Sequence, residues 1–291
     1  YTCCLLQQPC FQHRIDTASG GYGTVQQNFA EWQDDGADCV LTAVPDDGCT
    51  FLYWAGDVPE ADRFDAVLTL TMDKPRAVTA CFAGPAPRTL TAAGGDWFNI
   101  ATWDGVAIPG PADSVSIASA TVDVGLPGPV SVGTLALSGT GFLRVGGTGA
   151  DALAQTPIAT APECGFGLVV HGELQIGDSA KLSLGGAPAD YRTDLTVQGD
   201  LALTNSGLIA VYAGGTGAIG DPETYRVGGA TVAVSGVTRL GSGAWIHPIC
   251  NPVNGTPVTF DLQNVFVAAD AGFNATGRGN GAYLDPPPPV Y

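Results

Sequence analysis

Residues 170–182 read VHGELQIGDSAKL, and residues 197–209 read VQGDLALTNSGLI. Laid over one another they match at each apolar position: Val170 with Val197, Leu174 with Leu201, Ile176 with Leu203, and Leu182 with Ile209. Both carry Gly two places after the opening Val, and Asp or Asn followed by Ser at the same turn site. Alternation of apolar and polar residues marks a strand with one buried face, and Gly, Asp, Asn and Ser punctuate such strands. Each segment therefore reads as strand, turn, strand. It is either an isolated hairpin or one rung of a stack.

The unit recurs, which decides for a stack. VSGVTRLGSGAWI at 234–246 keeps Val234, Gly236, Leu240 and Ile246; SVGTLALSGTGFL at 131–143 fits through Leu135, Leu137 and Leu143; LQNVFVAADAGFN at 262–274 fits more loosely. The copies begin at 131, 170, 197, 234 and 262, spaced 39, 27, 37 and 28 residues apart. A period in the high twenties with this content predicts a solenoid whose coils pair in parallel, with loops inserted near 144–167 and 211–231. Each coil would bury about four aliphatic side chains, worth roughly 6–12 kcal/mol before chain entropy is subtracted, so a coil needs neighbours. The expected fold is all-β: a small β-rich module followed by a right-handed parallel β-helix. Positions zero, four, six and twelve of each copy should stack in columns.

Composition narrows the function. The chain has 291 residues, 11 Lys and Arg against 28 Asp and Glu, and a formal net charge of −17. So few cations assemble no phosphate-neutralising stripe, which excludes nucleic acid and disfavours anionic membrane surfaces. No run of 18 apolar residues occurs, so no membrane-spanning segment is expected. The 41 Gly and 21 Pro are poor helix material. The chain opens at Tyr1 without a recognisable signal peptide, and a processed amino terminus is the expectation.

Eight cysteines, Cys3, Cys4, Cys10, Cys39, Cys49, Cys81, Cys164 and Cys250, occur without a CxxC or Cys/His cluster. Zinc is disfavoured on that spacing, and disulfides in an oxidising compartment are expected, with the pairing left open. Asn254 and Asn274 each open an Asn-x-Thr triplet and are candidate glycosylation sites.

Five short alternating stretches, GTVQQNFAEW, DCVLTAVP, CTFLYWAGD, AVLTLTMD and AVTACFA, lie between residues 23 and 83. Within them, VLTAVPDDGCTFLYWAGD and then LTLTMDKPRAVTACF resemble the divergent bacterial repeat domain of surface proteins related to internalin B-type repeats. The resemblance covers about 60 residues and implies a small β module of a secreted or surface protein, without known chemistry. Leu41, Phe51, Trp54, Leu68, Leu70, Val78 and Phe82 would form its core, and Gly48 and Gly56 its turns. WFNIATWDGVAIPGPADSVSI, 97–117, looks like the opening of β-helical surface proteins. The expected organisation is a Cys-rich segment at 1–20, the module at 21–83, a GPAPRT linker at 84–89, the β-helix at 90–285 and a Pro-rich tail at 286–291.

Catalytic signatures are scarce. Residues 215–220 satisfy GxGxxG, but Asp221 and Pro222 follow where a dinucleotide site needs a helix, so the match reads as chance in a Gly-rich chain. His13, His171 and His247 are scattered and indicate no triad. Glu173 and Asp200 share position three of adjacent copies, which sets them about 4.8 Å apart on an outward face. Paired carboxylates suit a glycosidase or a calcium ion, and equally two solvated side chains. Solvated side chains are the expectation, so no catalytic residue and no cofactor are assigned, with calcium the candidate ion. Trp97, Trp103 and Trp245 would form an exposed row if the chain bound carbohydrate.

The expected function is that of a non-catalytic secreted or cell-surface bacterial structural protein, an adhesin, a stalk or the subunit of an extracellular fibre. The alternatives are a β-helical polysaccharide lyase or glycoside hydrolase, and a carbohydrate-binding module. Expected partners are further copies joined head to tail, with residues 275–291 reaching the next amino-terminal module, or other surface proteins and glycans.

Overall fold

The structure, a computed structural model, describes residues 12–84, 87–104, 107–125, 128–146, 166–185, 192–213, 229–250 and 257–275. Among them there are strands, turns and two single 3-10 turns, at Glu60–Asp62 and Ile100–Thr102, and no α-helix. The GxGxxG stretch and most of the carboxy-terminal tail lie outside the described residues.

The amino-terminal module is two sheets packed face to face. One orders Trp32–Asp34, Gln12–Ser19, Arg76–Ala83 and Thr50–Gly56; the other orders Gly23–Gln27, Asp38–Pro45 and Val67–Thr71. Between them lie Ile15, Leu41, Trp54, Leu68, Leu70, Val78 and Phe82, all nearly inaccessible, with Phe51 packed at the margin. Gly56 is required: its φ is +98°, and a Cβ there would stand 2.1 Å from the Ala77 carbonyl oxygen. The first strand begins at Gln12, ahead of the boundary expected at residue 21. QHRIDTAS buries only Ile15, so it carries no alternation to read.

From residue 89 onward strands pair in parallel, layer on layer. One sheet runs through Thr89–Thr91, Ser114–Ile117, Thr134–Leu137, Leu174–Ile176, Leu201–Leu203, Ala230–Leu240 and Val258–Val267. It also takes in Gly128–Val132, Phe166–Val170 and Thr193–Val197. The other runs through Gly95–Asp96, Thr121–Val124, Phe142–Val145, Lys181–Leu184, Leu208–Tyr212, Trp245–Ile249 and Gly272–Phe273. Leu90, Val115, Leu135, Leu174, Leu201, Thr238 and Val265 are successive partners in one column. Val122, Leu143, Leu182, Ile209, Ile246 and Phe273 form another. The expected columns are present, and the stack starts two layers before the first recognisable copy.

Two copies depart by one residue. Val132 pairs with Val170 while Leu135 pairs with Leu174, so the first copy opens at Val132, not Ser131, and has one residue fewer at the corner. Likewise Leu262, Val265 and Val267 oppose Val234, Thr238 and Leu240 across a bulge between Val234 and Val237. The corner itself is a file of glycines, because Gly172, Gly199 and Gly236 each donate their N–H to the glycine of the preceding layer. A Cβ on Gly199 would meet the Gly172 carbonyl oxygen at 2.5 Å. At the opposite bend Asp178, Ser179, Asn205 and Ser206 all have positive φ, and the Asn205 side-chain amide donates to Asp178 at 3.0 Å. Asp and Asn accept that conformation more readily than other side chains, which explains why the turn site recurs.

The module and the stack share a core. Tyr53, Ala55 and Cys81 face away from the module interior and pack in one cluster with Leu90, Val115 and Ile108. The middle sheet thus has the stack on one side and the three-stranded sheet on the other.

Candidate functional site

The functional question falls on the outward faces, where the side chains between the buried columns are placed. Asp200 stands one layer after Glu173, as expected, since Leu174 and Leu201 pair directly. Their surroundings differ. Asp200 Oδ1 accepts the Val237 N–H at 2.8 Å and Oδ2 accepts Arg239 Nη1 at 2.8 Å, both from the following layer. The Val237 N–H and then the Arg239 guanidinium hold its carboxyl below the usual carboxylate range. Asp200 therefore fastens the bulged strand, and Glu173 stays exposed to solvent. Sequence reading paired Asp200 with no cation because Arg239 lies 39 residues further on.

Three polar constellations escaped the sequence reading. Asp113 is buried and accepts Arg88 Nε, Arg88 Nη2, the Arg88 N–H and the Gly110 N–H. Arg88 also donates to the Ile108 carbonyl and lies 4.7 Å over the Tyr22 ring. The end of the expected linker is thus a pin between module and stack, and Asp113 of PADSVSI is its anchor.

Second, Asp96, Asp123 and Arg144 are successive partners on the outward face of the second sheet. Arg144 donates Nε and Nη2 to the two carboxylate oxygens of Asp123, a fork-to-fork pair. Asp96 accepts the Phe98 N–H at 2.8 Å. Burial pushes its carboxyl above the usual range, opposed by that N–H and reinforced by Asp123.

Third, Ser131, His171 and Gln198 bridge three layers. His171 Nε2 lies 2.8 Å from Ser131 Oγ and Nδ1 lies 3.1 Å from Gln198 Oε1. The amide oxygen only accepts, so Nδ1 donates to it, and in the neutral ring that leaves Nε2 to accept from Ser131. His171 and Gln198 are exposed, so the row is a surface ladder rather than a closed site.

Metal and sugar readings receive less support. Among the described residues no three His, Cys, Asp or Glu side chains are grouped to hold a metal ion. Trp97 and Trp103 are buried edge to face at 4.9 Å, with Trp103 Nε1 donating to the Trp97 carbonyl, and Trp245 is half-buried. They form no exposed row. Trp54 is core, its Nε1 donating to the Asp65 carbonyl at 2.8 Å.

The cysteines divide in the same way. Cys39, Cys49, Cys81 and Cys250 are free thiols, so no bridge joins the described ones to each other. Cys39 faces the core between the two sheets of the module, whereas Cys81 faces the core shared with the stack, which keeps them apart. Burial pushes the Cys81 thiol up to about 12, against hydrogen bonds from Tyr53 and the Ala55 backbone. Burial, with Asp38 adding, also raises Cys39. Cys3, Cys4, Cys10, Cys164 and Asn254 lie outside the described residues. Asn274 closes the last layer, its N–H donating to the Ile246 carbonyl.

Seen whole, the first part of the chain is a β-sandwich with a Trp–Phe core, and it coincides with a known family. Residues 13–85 match the divergent InlB B-repeat domain. The match begins at the first strand and stops at residue 85, so the stacked strands lie outside it. It points to a bacterial surface protein. No curated protein and no solved structure matches the chain. Among the described residues no helix is long and apolar enough to cross a membrane.

Proposed function

We propose that this chain is a non-catalytic structural protein of the bacterial surface or extracellular space, working without a cofactor. Its B-repeat-type module would seat one end of a right-handed parallel β-helix, and the helix would serve as a stalk, an adhesin or the subunit of a fibre. The observation that carries this reading is how the outward charges are used. Asp123 is forked by Arg144, Asp194 takes the Thr231 N–H of the next layer, Asp200 takes Arg239, and Asp178 takes the Asn205 amide. Each pair ties neighbouring strands or turns together, and none converges on a cleft. A β-helical lyase needs its base and charge neutralisers turned toward a substrate instead. Gold-labelled antibody on intact producing cells tests the location, and label confined to the cytoplasm would refute it.

The reading as a glycoside hydrolase rests on one observation, Asp96 with a raised carboxyl one layer from Asp123, which is held by Arg144. Unequal neighbouring carboxyls are the arrangement of an acid and its partner. Release of reducing ends from polysaccharides, lost in Asp96→Asn, would favour that reading over the structural one.

A further inference from the structure

Large apolar side chains are exposed at nine described positions, and eight of these lie at the two ends of the molecule: Trp32, Val40, Phe64 and Val67 on the module, and Val265, Phe266, Val267 and Phe273 on the last layer. Exposed apolar residues scattered singly need no explanation, but their segregation to opposite ends does. At the carboxy-terminal end the cause is plain. Val265, Val267 and Phe273 continue columns whose members one layer earlier, Thr238, Leu240 and Ile246, are 0%, 2% and 0% exposed. Among the described residues the last layer carries column residues with no further layer paired over them. Val258–Val267 also pairs only with Ala230–Leu240, leaving a free edge among the described strands.

The other end mirrors it. In the three-stranded sheet, furthest from the stack, Val67–Thr71 pairs only with Asp38–Pro45, and Val40 and Val67 point outward beside Phe64. Charge decides what such faces can meet. The molecule carries −17, yet VLTLT has no charged residue and VTFDLQNVFV only Asp261. Along these two strands a second copy meets less repulsion than along the acidic positions beside them, where Asp38, Asp62 and Asp65 lie.

We propose that the two faces are the two halves of one head-to-tail contact. The last layer of one copy seats on the outer three-stranded sheet of the next, with Val265, Val267 and Phe273 against Val40, Phe64 and Val67. Such a heterologous contact does not close and gives a filament. The proposal rests on the structural reading and selects the fibre subunit from among its forms.

Sedimentation velocity on the full chain, from about 1 to 100 µM, tests it. The wild type is expected to grow with concentration. A tail variant, Val267→Asp with Phe273→Asp, and a head variant, Phe64→Asp with Val67→Asp, should each weaken association about 30-fold or more, as loss of a hot-spot side chain does. Mixed together, the two variants should form a one-to-one dimer and stop, because one intact head meets one intact tail. The circular dichroism of each variant should equal that of the wild type, since all four positions are on the surface; a misfolded variant is replaced by Val265→Ser or Val40→Ser. A wild type monomeric throughout, as when another segment of the chain covers the last layer, overturns the proposal. So do self-association that survives the head variant and a mixture that does not dimerise. Antibody labelling of cells producing the monomeric variants reports separately on the structural reading, which stands if they remain at the surface.

Discussion

The two ends of the stack differ although the same columns reach both. At the first end Leu90 and Val115 are buried in one cluster with Tyr53, Ala55 and Cys81 of the module, while at the last end Val265 and Val267 are exposed. The difference shows what a cap does. It replaces the missing layer with side chains that need not repeat, so the module has a core of Trp54, Phe82 and Met72 around a buried Arg63. The stack has Leu, Ile and Val in register. One core is a single closed body; the other is a sum of nearest-neighbour contacts.

The sharpest way to break that contrast is inside the module. Trp54 is fully buried and its indole Nε1 donates to the Asp65 carbonyl at 2.8 Å, so Trp54→Ala removes core volume and takes that donor from the carbonyl. A loss of about 3–5 kcal/mol is expected, unfolding the module while strand signal from the stack persists. Denaturation followed by fluorescence and by circular dichroism should then separate, and coincident curves would mean that the two cores unfold as one. At the junction, Asp113→Ala strands Arg88 in a mostly buried place and should lose about 3–5 kcal/mol. Arg88→Met with Asp113→Leu, read by thermal melting, should recover only the part due to the guanidinium, because the backbone N–H groups of residues 88 and 110 still lose their acceptor.

Within the stack the effect should depend on depth. Leu201→Ala, between full layers, should lose about 2–5 kcal/mol, whereas Val267→Ala at the open end should lose less than about 1 kcal/mol. Equal losses would show that the last layer is covered in solution, as the head-to-tail contact requires at high concentration, so the comparison is made at both dilute and concentrated protein.

The smallest effects concern two carboxyls with shifts of opposite sign. Asp200 is lowered, so its contribution is present above the ordinary carboxyl range and is lost as pH falls through its folded value. Asp96 is raised, so ionisation opposes folding above its folded value and the opposition vanishes as pH falls below the ordinary value. At neutral pH Asp200→Asn should lower the melting temperature and Asp96→Asn should raise it. The Asp96 difference should fade as pH falls below the ordinary carboxyl value of about 4, and the Asp200 difference only further down, once pH has passed its lowered folded value.

What could be read in advance followed the period. Leu174, Leu201, Ile209 and Ile246 fell into their columns because one face of every strand is buried, and a one-residue slip would have turned each of them to solvent. The corner could not be read that finely, because Val132 and Leu262 lie in copies one residue short and the bulge at Val234–Val237 absorbs the difference. The outward pairs were hidden for another reason. Arg88 and Asp113, or Asp200 and Arg239, are joined only after the chain has gone round, so no local spacing announces them. Asp96 and Asp123 precede the first recognisable copy, in layers whose Trp97 and Trp103 pattern is that of a packed end rather than a repeat.

The uncovered last layer has a mechanical meaning. The hydrogen bonds of a parallel stack run along its axis, so tension applied along that axis loads them a layer at a time rather than all together. Rupture would start at Val258–Val267, which is held from one side only, and travel back toward the pinned end at Arg88. With copies 27 residues apart at the closest spacing, the shortest step would release about 90 Å of slack. A tethered molecule would yield in a train of discrete extensions alternating between longer and shorter, a shock absorber whose strokes are set by the spacing of the copies.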